Sequence, residues 1–224
     1  MAEVSAVSKL SGYPFEKIFF LNFMYEYSTA CTGVLICTNE GKILHGRNLD
    51  FPMWGHLANL LVHAEYYKGG KLVFRSDLIV GSVFALTGSK PGAFSVNVDT
   101  RTAKNFDQDL ISVLIDNAIP TCWLVQKVLI EETTFDAAVK RLKSTRIGGP
   151  VYYIVSGTQP YEGTVIERDV NSTHASYSLS KDTWFLVQTN YDRDQPDPII
   201  DERRTPVEKF LRQRGNNITE QQLI

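Results

Sequence analysis

The order of periodicities along this chain constrains its fold more than any single residue does. Short runs of β-branched and aromatic residues, separated by turn residues, read as a succession of strands at 31–38, 42–47, 58–67, 71–75, 78–86 and 93–99. Asn39 to Gly41 supply a hairpin turn, and Gly69-Gly70 and Lys90-Pro91-Gly92 punctuate the later runs. The period then becomes helical. Leu110, Val113, Leu114 and Ala118 keep helical spacing, as do Leu124, Val128 and Leu129 after Pro120. Phe135, Ala138, Val139 and Leu142 follow, with Thr133 or Thr134 as a cap. After Gly148-Gly149-Pro150, strands resume at 151–155, 163–168, 176–179 and 184–189. A loop rich in Pro and Asp, 192–201, leads to an amphipathic helix at 205–213, and a further one begins at 218. Strands, then helices, then strands predict an α+β fold with helices packed on sheets.

At 224 residues the chain suits one large domain. Its 23 basic and 25 acidic residues give a net charge of −2 with no block of one sign, so no nucleic-acid partner is expected. No run reaches the ~18 apolar residues of a membrane span. The aromatic stretch 15–27 is interrupted by Tyr25, Glu26 and Tyr27, which argues against a secretory signal. It reads as a strand in preference to a membrane-surface segment.

Most common catalytic motifs are absent: there is no G-x-S-x-G, H-E-x-x-H, C-x-x-C, P-loop or G-x-G-x-x-G. His45, His56, His63 and His174 lack metal-ligand spacing and read as ordinary polar residues. Asp192, Asp194 and Asp197 read as a solvated loop. No metal or other cofactor is expected. Of the cysteines Cys31, Cys37 and Cys122, the first opens a strand directly after Ser28-Thr29-Ala30, where a chain can be cut. A strand folding back would bring Arg47 and Asp50 beside it. Taken alone, Cys31 reads first as a buried hydrophobe, and Arg47 with Asp50 as a structural ion pair.

Five blocks occur in order: Cys31-Thr32, His45-Gly46-Arg47-Asn48-Leu49-Asp50, Val151-Tyr152-Tyr153-Ile154-Val155, Gln188-Thr189-Asn190-Tyr191-Asp192 and Asp201-Glu202-Arg203-Arg204-Thr205. Together they resemble the acid ceramidase and N-acylethanolamine-hydrolysing acid amidase family of N-terminal-nucleophile hydrolases, related to choloylglycine hydrolases. The resemblance runs from about Phe19 to the end of the chain. It implies an αββα sandwich, made as a zymogen that cleaves itself between Ala30 and Cys31. Residues 1–30 would be the remnant of a longer pro-segment and 31–224 the hydrolase domain, with further sandwich structure expected beyond Ile224. The cleaved segment is expected to stay associated with that domain.

By the same resemblance Cys31 matches the nucleophile, Arg47 and Asp50 the charged pair beside it, Asn190 an oxyanion-stabilising asparagine, and Arg203 the arginine that follows. A thiolate favoured by nearby cations suits amide hydrolysis, and a freed α-amine can carry the proton. Family members usually have a glutamate at the position of Thr100, and Asp99 is the adjacent carboxylate that can substitute for it. The short passage from Asp50 to Gly55 resembles the ethanolamide-hydrolysing branch, so fatty-acid ethanolamides are the expected substrates. Ceramide is the alternative, and a non-catalytic lipid-binding form a further one. Phe51, Met53, Trp54 and Leu57 are candidates to line an acyl tunnel. The family implies a lysosomal or other acidic compartment, which the sequons at Asn171 and Asn217 fit as glycosylation sites. Contact with a membrane surface is a further expectation for so insoluble a substrate.

Overall fold

The computed structural model of the chain describes residues 2–22, 30–50, 58–101 and 117–223, together with Gly55 and Val113. The predicted hairpin is formed by β1 (Ala30–Cys37) and β2 (Ile43–Asp50), and its turn uses Gly41 at a φ of 80° that other residues rarely adopt. β10 (Phe185–Gln188) pairs antiparallel on the other side of β1, giving a sheet of order β10-β1-β2.

A second sheet contains β3 (Leu61–Lys68), β4 (Lys71–Ile79), β5 (Thr87–Lys90), β6 (Phe94–Thr100), β7 (Val151–Ser156), β8 (Gly163–Arg168) and β9 (Thr173–Ser178) in sequence order. Each strand is antiparallel to the next, so short turns join most of them. Helices α3 (Thr121–Glu131) and α4 (Phe135–Ser144) lie in the chain between β6 and β7. Thr134 caps α4 as expected, accepting the Ala137 N–H at 3.2 Å.

Alternation along the strands builds the layers. Val96 and Val98 of β6 and Tyr153 and Val155 of β7 pack with Leu124, Val125 and Leu142 from the helices. The opposite face of β7, Tyr152 and Ile154, meets Leu35 and Cys37 of β1 and Leu186 of β10. On the far side of the small sheet, Val34, Ile36, Leu44 and Val187 pack against Leu211 of α5 (Arg204–Arg214). A final helix, α6 (Glu220–Leu223), follows. Both faces of the small sheet are therefore covered, which is why β1 reads as one apolar run. The layers run helix, sheet, sheet, helix, the αββα sandwich expected.

Three local readings change. Phe15–Leu21 forms α2, not a strand, preceded by α1 (Ala2–Ser11). Pro14 starts the turn, its carbonyl accepting from Lys17 and Ile18, and Phe15 stacks on Phe19 one turn later with ring centroids 6.1 Å apart. Only one side of this helix is buried, at Ile18. Second, β4 is continuous through Ile79 and the chain turns at Gly81, φ 95°, so 78–86 is not a strand. The unforeseen β5 is short and polar. Its Gly88 admits Leu129 of α3, whose Cδ1 would lie 2.4 Å from an added Cβ. Third, Ala118 lies outside any helix, next to the isolated bridge between Ile119 and Ile147, and residues 110 and 114 of that predicted helix lie outside the described residues.

Candidate active site

The β1–β2 register sets the geometry around Cys31. Ala30 faces Asp50 across the hairpin, Cys31 faces Leu49, and Gly33 faces Arg47. Because strand side chains alternate, Cys31 and Arg47 point to the same buried side, toward the large sheet. Arg47 Nη2 lies 3.6 Å from the Cys31 sulfur and donates to the Val98 carbonyl at 3.0 Å, while Nη1 donates to the Thr87 hydroxyl. The thiol is fully buried, and the Arg47 side chain is 9% exposed. A cation is thus fixed on the sulfur by two independent anchors.

The main chain of Cys31 is held from the other side. Its N–H donates to Asn190 Oδ1 at 2.8 Å, and its carbonyl accepts from Arg203 Nη1. Arg203 also donates to Asn190 Oδ1 at 2.7 Å and grips Asp201 with two bonds, at 2.7 and 2.8 Å. Burial works against the Arg203 cation, but the Asp201 carboxylate more than compensates and raises its pKa, with Asp50 adding to the effect. Asn190 Nδ2 donates to the Thr100 carbonyl at 2.7 Å. The amide therefore presents its oxygen to Cys31, and its N–H is already engaged. Asp50, exposed, accepts from Asn48 at 3.0 and 3.2 Å and stands across from Ala30.

Asp99 is the buried carboxylate of this group. Its Oδ1 lies 3.7 Å from Arg47 Nε and accepts from Asn97 Nδ2 at 2.7 Å. Burial raises its pKa to about 7, with Arg47, Asn97 and Arg203 pulling the other way. His45 is no ordinary polar residue. It sits between the sheets with Nε2 2.6 Å from Asn97 Oδ1 and Nδ1 2.6 Å from Ser95 Oγ. Burial lowers its pKa to about 4, against the Asn97 hydrogen bond and with help from Arg47. His45 opens one of the five resembling blocks but the resemblance gives it no role, and no block marks Asn97. Thr100 contributes only its carbonyl to the contacts above.

Other expectations fall differently. Phe51, Met53, Trp54 and Leu57, the acyl-tunnel candidates, lie outside the described residues. A cavity of about 450 Å³ is lined by Arg47, Asn48, Leu49, Asp50, Leu61, Asp77 and Thr87, along β2 of the hairpin. The larger one, about 1080 Å³, lies over Val34, Leu44, Val207 and Phe210 on the opposite face of the small sheet. The 192–201 loop is not simply solvated. Asp192 is held by Arg101 at 2.6 and 2.7 Å and by the Tyr152 hydroxyl at 2.7 Å, and Asp197 is buried against Arg204. Glu167, His174 and Asp192 bring ligand atoms within 4.8 Å of one another, but Arg101 already balances Asp192. Asn171 and Asn217 are exposed.

A helix–sheet–sheet–helix sandwich whose innermost hairpin opens on a buried cysteine is the architecture of an N-terminal-nucleophile hydrolase. No protein-family model matches the chain. N-acylethanolamine-hydrolyzing acid amidase from Oryctolagus cuniculus is 39% identical over 197 residues, covering 87% of this chain and 55% of its own length. Acid ceramidase from Mus musculus is 33% identical over 227 residues, covering 93% and 58%. The solved structure of a Caenorhabditis elegans N-acylethanolamine-hydrolyzing acid amidase ortholog superposes with a TM-score of 0.76 at 30% identity, covering 86% of this chain and 83% of that one. The chain belongs to this family of N-acylethanolamine-hydrolyzing acid amidases and acid ceramidases, and it spans little more than half the length of the curated relatives it matches.

Proposed function

We propose that this chain is a cysteine amidase of the N-terminal-nucleophile kind, which activates itself by cleavage between Ala30 and Cys31 and then hydrolyses fatty-acid ethanolamides. One observation carries the reading. The Cys31 sulfur lies under Arg47 while its N–H and carbonyl are held by Asn190 and Arg203, so the same residue is fixed at both main-chain groups and at the sulfur.

In self-cleavage the sulfur adds to the Ala30 carbonyl carbon, the bond to the Cys31 nitrogen breaks, and that nitrogen leaves as an amine. Water then hydrolyses the Ala30 thioester and restores the thiol. Asn190 Oδ1, already accepting the Cys31 N–H, remains to accept from the new α-amine. Arg47 favours the thiolate. In turnover the sulfur attacks the substrate acyl carbon, the α-ammonium gives its proton to the departing ethanolamine, and water releases the fatty acid. Ethanolamides are favoured over ceramide by the higher identity to the amidase, 39% against 33%. The cavity beside Leu49 and Leu61 shares Arg47 with the Cys31 site, and we propose it as the place where the substrate amide enters.

The N-terminal segment is fastened to the hydrolase body. Val4 and Ile18 are buried, and Asn22 bonds to Gly81 and Val83, contacts expected to keep it docked after cleavage. The same segment turns Leu10, Tyr13, Phe15 and Phe20 outward, an apolar edge suited to a lipid aggregate. The word acid in both relatives' names supports a working place in an acidic compartment.

The test is intact mass before and after acid incubation, beside Cys31→Ala, followed by a panel of fatty-acid ethanolamides and ceramides. Loss of residues 1–30 from wild type alone, with ethanolamide turnover, is the expected result. Preferred ceramide turnover would move the chain to the ceramidase branch. An unchanged mass with lipid binding but no turnover would leave a lipid-binding protein.

A further inference from the structure

Between the two sheets, polar residues of β2 and β6 line up in a row leading to the nucleophile, from part-buried Ser95 and His45 to buried Asn97 and Asp99. We infer that Ser95, His45, Asn97 and Asp99 form a positioning relay, which fixes the Asp99 carboxylate and, through it, the Arg47 guanidinium against Cys31. This rests on the reading of Cys31 as the nucleophile.

The order of donors follows from one end. Asn97 Nδ2 gives its hydrogen to Asp99 Oδ1 at 2.7 Å, so Asn97 Oδ1 faces away and must accept. Its partner there is His45 Nε2 at 2.6 Å, which therefore carries the imidazole proton. His45 Nδ1 is then an acceptor, and Ser95 Oγ, 2.6 Å away, donates to it. Ser95 Oγ in turn lies 2.7 Å from Ser156 Oγ, which donates to Ser95. Every hydrogen in the row points toward Asp99, so each bond polarises the next in the direction that favours the carboxylate anion.

That anion sits where it matters. Asp99 Oδ1 faces Arg47 Nε, and Asp99 Oδ2 has no hydrogen-bond partner among the described residues. Oδ2 points at β1 beneath Gly33, 3.4 Å from where a Cβ would stand, on the face that carries Cys31 two residues earlier. A carboxylate with one oxygen left bare in the core is costly unless a row of donors holds the other in place. Arg47 and Arg203 are the charged groups around Asp99, and the β7 residue paired with it, Tyr152, turns its hydroxyl to Asp192. Around His45 stand Arg47 on its own strand and, across a cavity of about 200 Å³, Arg75 and Asp77 of β4. Asp77 on that wall is half-exposed, whereas the relay faces the interior.

The test compares the pH dependence of self-cleavage, followed by intact mass, for wild type, Asp99→Asn, His45→Leu and His45→Gln. Glutamine keeps an N–H where His45 Nε2 donates, and leucine does not. Asp99→Asn and His45→Leu are expected to slow cleavage about 10- to 100-fold, the scale of a misplaced catalytic group, and to lose the limb of the profile near neutral pH. His45→Gln should recover most of the rate. A second measurement needs no cleavage: nitrogen NMR of the Cys31→Ala protein should show the His45 proton on Nε2. Wild-type rates and profiles in both Asp99→Asn and His45→Leu would overturn the relay, and so would a proton on Nδ1. If wild type fails to cleave at any pH while the NMR shows the expected tautomer, the nucleophile reading has failed. The row is then a structural device, and its catalytic role falls with that reading.

Discussion

Asp99, buried, and His45, partly buried, stand in one hydrogen-bonded row, and their linkage to folding has opposite signs. A carboxyl raised from its ordinary 3.8 to about 7 binds its proton more tightly in the folded state. Its contribution is therefore full at low pH and lost as pH rises from about 4 to about 7, by about 4 kcal/mol at 1.36 kcal/mol per unit. An imidazole lowered from 6.5 to about 4 behaves in reverse. Its contribution is full above 6.5 and lost as pH falls toward 4, by about 3 kcal/mol. Between about pH 4 and 6.5 the two slopes nearly cancel, so the pair's combined contribution stays nearly flat across the acidic range. Removing one member exposes the other. In a Cys31→Ala background, where the proposed cleavage has no thiol to start it, the difference between Asp99→Asn and the unsubstituted chain should move in the variant's favour by about 3 kcal/mol from pH 4 to pH 7. His45→Gln lacks the imidazole contribution that rises with pH, so it should lose about 3 kcal/mol relative to wild type as pH rises from 4 to 6.5. Urea unfolding across that range, read as difference curves, cancels every other titrating group. Difference curves that stay level for both variants would refute the burial of these two charges and the reasoning built on it.

Two further outcomes follow from the N-terminal segment. Asn22→Ala removes bonds to Ile18, Gly81 and Val83 at a buried position, and should cost about 1–3 kcal/mol with earlier proteolysis of residues 2–22. Unchanged protease resistance would show that this asparagine does not fasten the segment. Leu10→Ser with Phe20→Ser, at exposed positions, should weaken sedimentation with lipid vesicles and leave the melting temperature unchanged. Equal sedimentation would show that the apolar edge is not a lipid contact.

Much of the sandwich was legible because its strands have strong local signatures. The hairpin around Gly41, the apolar block of β7 and the Thr134-capped helix all satisfy local and tertiary preferences at once. The misreadings lie where the two diverge. The aromatic run of α2 has high β propensity, but Phe15 and Phe19 also suit the i, i+4 spacing of a helix, and Pro14 places the turn before them. β5 carries almost no apolar signal, since Thr87-Gly88-Ser89-Lys90 forms a strand only because β4 and β6 flank it. The ion pair of Asp192 was invisible because Arg101 lies 91 positions away, a separation no local pattern carries.

The candidate site divides along a similar line, for a sharper reason. Cys31, Arg47, Asn190 and Arg203 stand in blocks whose resemblance marked them, and the fold brings all four together. Asn97 and Asp99 sit on β6, which alternates polar and apolar residues, and such alternation ordinarily means polar side out; His45 sits on β2 with no such pattern around it. Here that inference fails because β6 is covered on both faces: helices take Val96 and Val98, and the small sheet takes Ser95, Asn97 and Asp99. A strand with two buried faces can keep three polar side chains only if each finds a partner across the gap. β2 supplies those partners in register, His45 to Ser95 and Asn97, and Arg47 to Asp99. The alternating pattern of β6 therefore records a second core, a polar one, and Cys31 lies at its end.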